Sequence, residues 1–268
     1  MTNTGSRELA GKNAFISGGT SGINLAIARR YAAEGANVCV IGRDSAKAER
    51  AGREIAREGA DALGLSADVR DFEQVSGAMR AAADRFGPLD IVIAGAAGNF
   101  LAPAVDISAK GFKTVVDIDL IGTYNVFRAA FDVAAKPGAS FIAITAPQGM
   151  RPQALQAPAC AAKAGVNMLV RCLALEWGPG GVRVNAISPG PIEGTEGVAR
   201  LIPTAEARQT VEHRLALRRL GTLDEIAEMA LFVASDRARY VTGAILDCDG
   251  GSGIGDASAD CLTPRRQG

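Results

Sequence analysis

NAFISGGTSGIN, residues 13–24, is the stretch whose reading decides the fold. Asn13–Ser17 is a short apolar run of strand type. It passes through Gly18-Gly19-Thr20-Ser21-Gly22-Ile23-Asn24 directly into LAIARRYAAEG, which has helical periodicity. Glycines at such a turn let the backbone approach a phosphate, and the helix that follows offers it free N–H groups and a partial positive charge. Gly18, Thr20, Ser21, Gly22 and Ile23 are therefore candidate pyrophosphate-binding positions. A glycine-rich pattern alone also describes an ordinary tight turn; its place between the first strand and first helix of an alternating chain points to a dinucleotide. No Walker lysine stands in the loop, which disfavours a P-loop nucleotidase.

The alternation continues along the chain. Asn37–Ile41, Ala62–Ala67, Leu89–Ala94, Ser140–Thr145, Val182–Ser188 and Ala244–Cys248 read as further strands. Gly22–Glu34, Ser45–Glu58, Asp71–Phe86, Lys110–Ala134, Pro158–Trp177 and Leu223–Ser235 read as helices. Nearly continuous apolar strands separated by helices predict an α/β chain: a single-domain doubly wound Rossmann fold, with a seven-stranded parallel sheet and helices on both faces. Its ligand belongs at the carboxyl ends of the strands. The expected domain is 8–251, with the preceding residues and the tail 252–268 loosely held.

Composition narrows the function. Of 268 residues, 48% are apolar and 22% charged, enough for a sizeable core. Lys plus Arg and Asp plus Glu are both 29, so no global charge attracts nucleic acid or an anionic membrane. A single histidine, His213, excludes zinc sites of the two-His kind, and no metal is expected. The cysteines 39, 160, 172, 248 and 261 are odd in number, widely spaced and without a CxxC, which reads as free thiols in a reducing cytosol. MTNTGSRELAGKN has no apolar core of a signal peptide, and TPRRQG is not a peroxisomal address. The most apolar window, Asp90–Ile107, is broken by Gly95, Gly98, Asn99 and Pro103. The expectation is a cytoplasmic protein that does not span a membrane.

Two positions bear on the cofactor. The second strand ends Val40-Ile41-Gly42-Arg43-Asp44, where an acidic residue would take the ribose hydroxyls of NAD and an arginine the extra phosphate of NADP. Arg43 stands first, which favours NADP over NAD; the competing reading leaves Arg43 solvated and Asp44 as a helix cap. Asp68-Val69, on the same rim, suits an adenine amino group, or else Asp68 is an early helix cap. The basic residues divide into 23 Arg and 6 Lys. Lys163, in the small-residue helix Pro158-Ala159-Cys160-Ala161-Ala162-Lys163-Ala164-Gly165-Val166, is thus a departure from the chain's habit, although any lysine is first of all a surface residue.

These motifs resemble the short-chain dehydrogenase/reductase family over residues 8–251. The matching features are the Ser17–Ile23 loop, Asp68-Val69, Ala94-Gly95-Ala96-Ala97-Gly98 after the fourth strand, Lys163, Pro189-Gly190-Pro191-Ile192 and Asp249-Gly250-Gly251. The resemblance implies an NAD(P)-dependent Rossmann enzyme, commonly a homotetramer. It places Lys163 on the nicotinamide ribose, Ile192 near the carboxamide, and Ala96, Pro189 and Gly190 along the cofactor. Most members carry a Tyr four residues before the Lys, which protonates a carbonyl oxygen with help from a Ser and an Asn. Here Ala159, Ala146 (beside Thr145) and Asp119 hold those positions, and Asn24 replaces a glycine of the loop.

Within that family, Ala96-Ala97-Gly98-Asn99-Phe100-Leu101, Asp117-Ile118-Asp119, Gln153-Ala154-Leu155-Gln156, Glu176-Trp177-Gly178-Pro179, Gly190–Gly197 and Arg219-Leu220-Gly221 resemble the 2,4-dienoyl-CoA reductases. The similarity is to the peroxisomal type, which also lacks the Tyr and uses an Asp and a Lys; the Tyr of the mitochondrial type corresponds to Gln148. The resemblance implies NADPH-dependent reduction of an acyl-CoA, with Asp119 and Lys163 catalytic and Asn99, Phe100 and Gln148 at the substrate. Residues 193–217 would form a lid, and Arg200, Arg208, Arg214, Arg218 and Arg219 could meet CoA phosphates or simply be solvated. Alternatives are an NADP-dependent reductase of another activated carbonyl or enoyl substrate, and an NADP-binding sensor without catalysis.

Overall fold

β1 (Asn13–Ser17) is an interior strand of the sheet, and all five of its residues are buried. In this computed structural model, which describes residues 7–259, its side chains alternate between two cores. Phe15 joins one cluster and Ala14 and Ile16 the other. β2 (Asn37–Gly42), β3 (Ala62–Ser66), β4 (Ile91–Ala94), β5 (Ser140–Ile144), β6 (Arg183–Pro189) and β7 (Ile245–Cys248) complete a parallel sheet of order β3-β2-β1-β4-β5-β6-β7. The order reverses between β1 and β4, which opens a crevice at their carboxyl ends. The seven-stranded doubly wound fold expected from the sequence is the fold observed.

The two cores sit under different helices. α1 (Gly22–Ala33), α2 (Ser45–Ala56) and α9 (Leu223–Ala234) contribute Ile27, Tyr31, Ile55 and Leu231 to one cluster. α3 (Phe72–Phe86), α5 (Gly122–Val133) and α6 (Ala157–Trp177) contribute Met79, Phe127 and Val166 to the other. Each such side chain is stabilising by about 1.5–3 kcal/mol relative to exposure. α6 belongs to a segment, Ala157–Gly180, that by length and composition is apolar enough to cross a bilayer, but half of it is buried inside the protein.

Lys110–Ala134, expected as one helix, is instead α4 (Ala109–Val116), a π-helical turn (Asp117–Ile121) and α5. Three contacts hold the wider turn. Thr123 Oγ1 donates to the Asp119 carbonyl at 2.6 Å, Gly98 N donates to Asp119 Oδ1 at 2.7 Å, and Gly122 lies so close to Val69 that a β-carbon there would stand 2.7 Å from Cγ2. Such turns recur at functional sites. The segment expected as a lid contains α7 (Glu196–Leu201) and α8 (Ala205–Arg214), N-capped by Thr195 and Thr204.

The beginning of the tail differs from the loose segment expected. The Asp249 carboxylate accepts from Gly251 N, Ser252 Oγ and Gly253 N, and Ala257 N donates to the Arg214 carbonyl at 3.0 Å. The remainder of the tail, with Cys261, lies outside the described residues.

Candidate active site

The glycine loop closes against the end of β4. Gly18 has φ 67°, and a β-carbon there would stand 2.9 Å from the Ala96 backbone. Asn24, where the sequence pattern has glycine, donates from Nδ2 to the carbonyls of Gly95 at 2.8 Å and Gly18 at 3.4 Å. A β-carbon on Gly95 would overlap that amide. The asparagine therefore fits because residue 95 has no side chain, and it ties the loop to the segment carrying Ala96, Gly98 and Asn99.

At the rim where an adenosine was expected, Arg43 is exposed, just past β2. Asp44 is the N-cap of α2, its carboxylate accepting from Lys47 N at 2.9 Å. The Lys47 side chain turns back across the rim, and Nζ donates to Ser21 Oγ at 3.3 Å. Sequence reading missed Lys47 because a helix-surface lysine carries no signal until the loop facing it is known. Asp68 is close by but engaged: Arg70 Nη2 approaches it to 2.5 Å, and that guanidinium holds the carboxyl below its usual range. The cap of α3 is Asp71 instead. Val69 is buried, and its carbonyl accepts from Asn125 Nδ2.

β6 ends at Pro189, and Gly190 N donates to the Cys248 carbonyl at 3.1 Å. The Ile192 side chain is buried against Gly221, its carbonyl accepts from Thr195 Oγ1, and its N–H has no partner among the described residues. A cavity of about 420 Å³ opens beside Ile192, between Leu217, Arg219 and Asp249; neither Lys163 nor Asp119 lines it.

The centre of the site is a buried ion pair. Lys163 Nζ lies 3.2 Å from Asp119 Oδ2, with the side chains 9% and 2% exposed, and donates to the Ile144 carbonyl at 3.0 Å. The π-helical turn presents the acid and α6 the base. Both carboxylate oxygens are engaged, one by the charge of Lys163 and one by Gly98 N, and the ammonium, hydrogen-bonded to the Ile144 carbonyl, keeps donor capacity for a ligand. Ala159, one helical turn before Lys163, is buried. Thr145 Oγ1 donates to Asn167 Oδ1 at 2.7 Å beneath the pair, leaving Asn167 Nδ2 unpartnered among the described residues.

The expected substrate residues meet at a side chain to which the sequence reading assigned no role. Gln156 Oε1 accepts from Asn99 Nδ2 at 2.7 Å and from Gln148 Nε2 at 3.3 Å. Gln156 stands seven residues before Lys163, and extending the lysine's helical face backwards would have found it. Leu155 just before it has φ 66°, and its carbonyl accepts from Ala102 N at 3.1 Å. Phe100 is half-buried against Gly111.

Of the lid arginines, Arg200 Nη1 reaches the Asn99 carbonyl at 3.1 Å. Arg208 pairs with Glu193 and Glu212, Arg214 with Asp256 and Arg219 with Glu225. Arg218 donates to the carbonyls of His213 and Ala257. Exposed pairs of this kind are weak and exchangeable; of the five, Arg218 alone has no carboxylate partner among the described residues.

Comparison with known proteins agrees with this fold. The family described as Enoyl-(Acyl carrier protein) reductase matches residues 18–253. The chain is 44% identical over 246 residues to the peroxisomal 2,4-dienoyl-CoA reductase, (3E)-enoyl-CoA-producing, of Pongo abelii, covering 91% of this chain and 84% of that protein. It is 40% identical over 252 residues to the protein of the same name in Danio rerio, covering 93% and 84%. Among solved structures, a short-chain type dehydrogenase/reductase from Mycobacterium marinum superposes with a TM-score of 0.85 at 29% identity, covering 93% of this chain and 98% of that one.

Proposed function

The chain belongs to the short-chain dehydrogenase/reductase family, and from that premise we propose that it is an NADPH-dependent reductase of 2,4-dienoyl-CoA thioesters working without the usual tyrosine. The observation that carries this reading is the buried Lys163–Asp119 pair with Ala159 one turn away. A ketone reductase needs an acid at the carbonyl oxygen, because the product is an alcohol. Reduction of a conjugated dienoyl thioester puts its proton on carbon, so the oxygen needs stabilisation rather than protonation.

The residues fit a dinucleotide. Gly18 permits the tight turn against Ala96 that a bare-backbone loop needs, Ile192 N–H has no partner among the described residues and suits a carboxamide, and Lys163 keeps donor capacity for a ribose. Lys47 on Ser21 and the exposed Arg43 just past β2 supply positive charge suited to a 2′-phosphate, and the Asp44 carboxylate is occupied at the α2 cap rather than free for a ribose diol. When bound, the reduced nicotinamide supplies hydride to the far end of the conjugated system. Lys163 orients the ribose and supplies positive potential to the dienolate. Asp119 holds Lys163 in place and takes part in the proton relay. With both its oxygens engaged, the last transfer to carbon runs through a water. Asn99, Phe100 and Gln148 border the substrate.

We further read the protein as a cytoplasmic homotetramer. In support of assembly, α5 and α6 leave Tyr124, Met168 and Leu175 at 43%, 57% and 81% exposure. Light scattering at working concentration tests it, and a monomer would overturn it.

The test of function is NADPH consumption with loss of conjugated-diene absorbance, run beside an enoyl-CoA and a simple ketone. Turnover of the dienoyl-CoA well above the other two supports the reading. A preference for either of the others overturns it, as does tight NADPH binding with no turnover of any.

A further inference from the structure

Gln156 is 1% exposed, yet only half of its amide is used within the protein. It is the N-cap residue of α6, and Ala159 and Lys163 follow at i+3 and i+7, so the three share one face of the helix. Between Gln156 and Lys163 that face carries two small side chains, the methyl of Ala159 at i+3 and Cys160 at i+4, whose Sγ turns to the Gln153 carbonyl at 3.9 Å.

The amide is oriented by two donors on one acceptor. Asn99 Nδ2 and Gln148 Nε2 both point at Gln156 Oε1. Its nitrogen, with two N–H groups, has no partner among the described residues. That nitrogen is not one of the fully buried unpartnered atoms of the described residues, so it meets open space rather than packed protein. The backbone leading into it is also under constraint: Leu155 has φ 66°, the left-handed region that branched side chains rarely enter and that clusters at functional sites.

We propose that Gln156 is a catalytic hydrogen-bond donor whose amide nitrogen holds the thioester carbonyl oxygen of the substrate. The proposal rests on the dienoyl-CoA reading above. As hydride adds to the far carbon of the diene, its electron pair displaces the π electrons along the chain, and the negative charge collects on that oxygen. The amide stabilises it by hydrogen bonding and gives up no proton. The proton then reaches carbon by way of water, one C=C bond is reduced, and NADPH leaves as NADP⁺. Gln156 thus supplies, as a neutral donor, the contact that the missing tyrosine would make with a carbonyl oxygen.

Two variants test it. Gln156→Glu keeps acceptor oxygens for Asn99 and Gln148 but has no donor; Gln156→Met has a similar shape and neither function. Both should lose about a hundredfold or more in kcat on dienoyl-CoA, while NADPH affinity, read by fluorescence, stays within about twofold of the parent. Bound dienoyl-CoA with NADP⁺ should absorb at longer wavelength in the parent, because the donor polarises its carbonyl, and the shift should vanish in both variants. A kcat within about threefold of the parent in either variant overturns the proposal, as does a band shift that persists in Gln156→Met. If the methionine variant fails to bind NADPH, the glutamate variant, which keeps the loop contacts, decides. Failure of the underlying reading looks different: the parent itself would bind NADPH but neither reduce dienoyl-CoA nor shift its band, which overturns both.

Discussion

Asp119→Asn removes one charge from the centre of the site and very little else. The asparagine has the same shape, and its Oδ1 keeps the 2.7 Å bond from Gly98 N. What it loses is the 3.2 Å attraction to Lys163 Nζ, between side chains 2% and 9% exposed. At that depth, removing one partner leaves the other as an uncompensated charge, which costs about 3–5 kcal/mol. For a chain of this size the melting temperature should fall by roughly 10 °C. Lys163→Met should cost a similar amount, because Asp119 is left with only the Gly98 amide. The double variant contains no orphan charge, so its loss should fall short of the sum of the singles by at least about 2 kcal/mol. Urea unfolding of the four proteins at neutral pH measures this directly. Turnover should behave differently and stay lost in the double variant, because Lys163 has a second task at the ribose and the dienolate. Stability losses that add to within about 0.5 kcal/mol would refute the pair as the device that seats Lys163.

At the adenosine end, Arg43→Ala and Lys47→Ala should each remove about 1.5–3 kcal/mol of charge-assisted binding to the 2′-phosphate. The ratio of kcat/KM for NADPH over NADH should then fall by roughly ten- to a hundredfold; an unchanged ratio removes both residues from the phosphate site. At the loop, Gly95→Ala forces a β-carbon onto the Asn24 amide and should destabilise by about 1–3 kcal/mol. Asn24→Gly in the same chain should restore most of this in thermal melts, and absence of rescue disproves the fit between the two positions. Beside the lid, the Arg219 guanidinium, and then Thr222 N–H, pull the Glu225 carboxyl from its usual 4.5 to about 2. A depressed value in the folded state means that this stabilisation is complete above the ordinary carboxylate range and is lost as pH falls from there towards 2. Glu225→Gln should flatten that part of the acid-unfolding profile, by less than about 1 kcal/mol since the pair is exposed; an unaltered profile would show that the carboxylate does not contribute.

The sheet was readable from sequence because each strand is a largely apolar run bounded by turn residues, and in β1, β2, β4, β5 and β6 burial on both faces leaves little alternation to misread. The break at Asp117–Ile121 was not readable. A π-helical turn adds one residue to a pattern that stays periodic on either side, and what holds it comes from Gly98 and from Gly122 against Val69, residues distant in sequence. The same reason hid Lys47 on Ser21, Arg200 on Asn99 and the compensation between Asn24 and Gly95. Each is one polar group on a helix whose partner lies in a loop and is fixed only once that loop has its place beside the helix. Asp119 and Lys163 were accessible because each sits where a family pattern expects a polar group, although nothing in their spacing says that they touch.

The choice of lysine in an arginine-using chain follows from the geometry around Nζ. The group must face the Ile144 carbonyl, Asp119 Oδ2 and a ligand oxygen from one point. An ammonium offers three donors about a single atom, whereas a guanidinium spreads five over a planar fork. At 9% side-chain exposure there is no room to leave extra donors to water, and unmade buried donors are costly. A tyrosine at position 159 would have shared the work at the carbonyl oxygen. With alanine there, the proposed mechanism meets charge on that oxygen by the potential of a lysine held by Asp119 and by the neutral donor at Gln156. That division suits an intermediate whose oxygen carries charge but is never the final resting place of the proton, and it is poorly suited to making an alcohol.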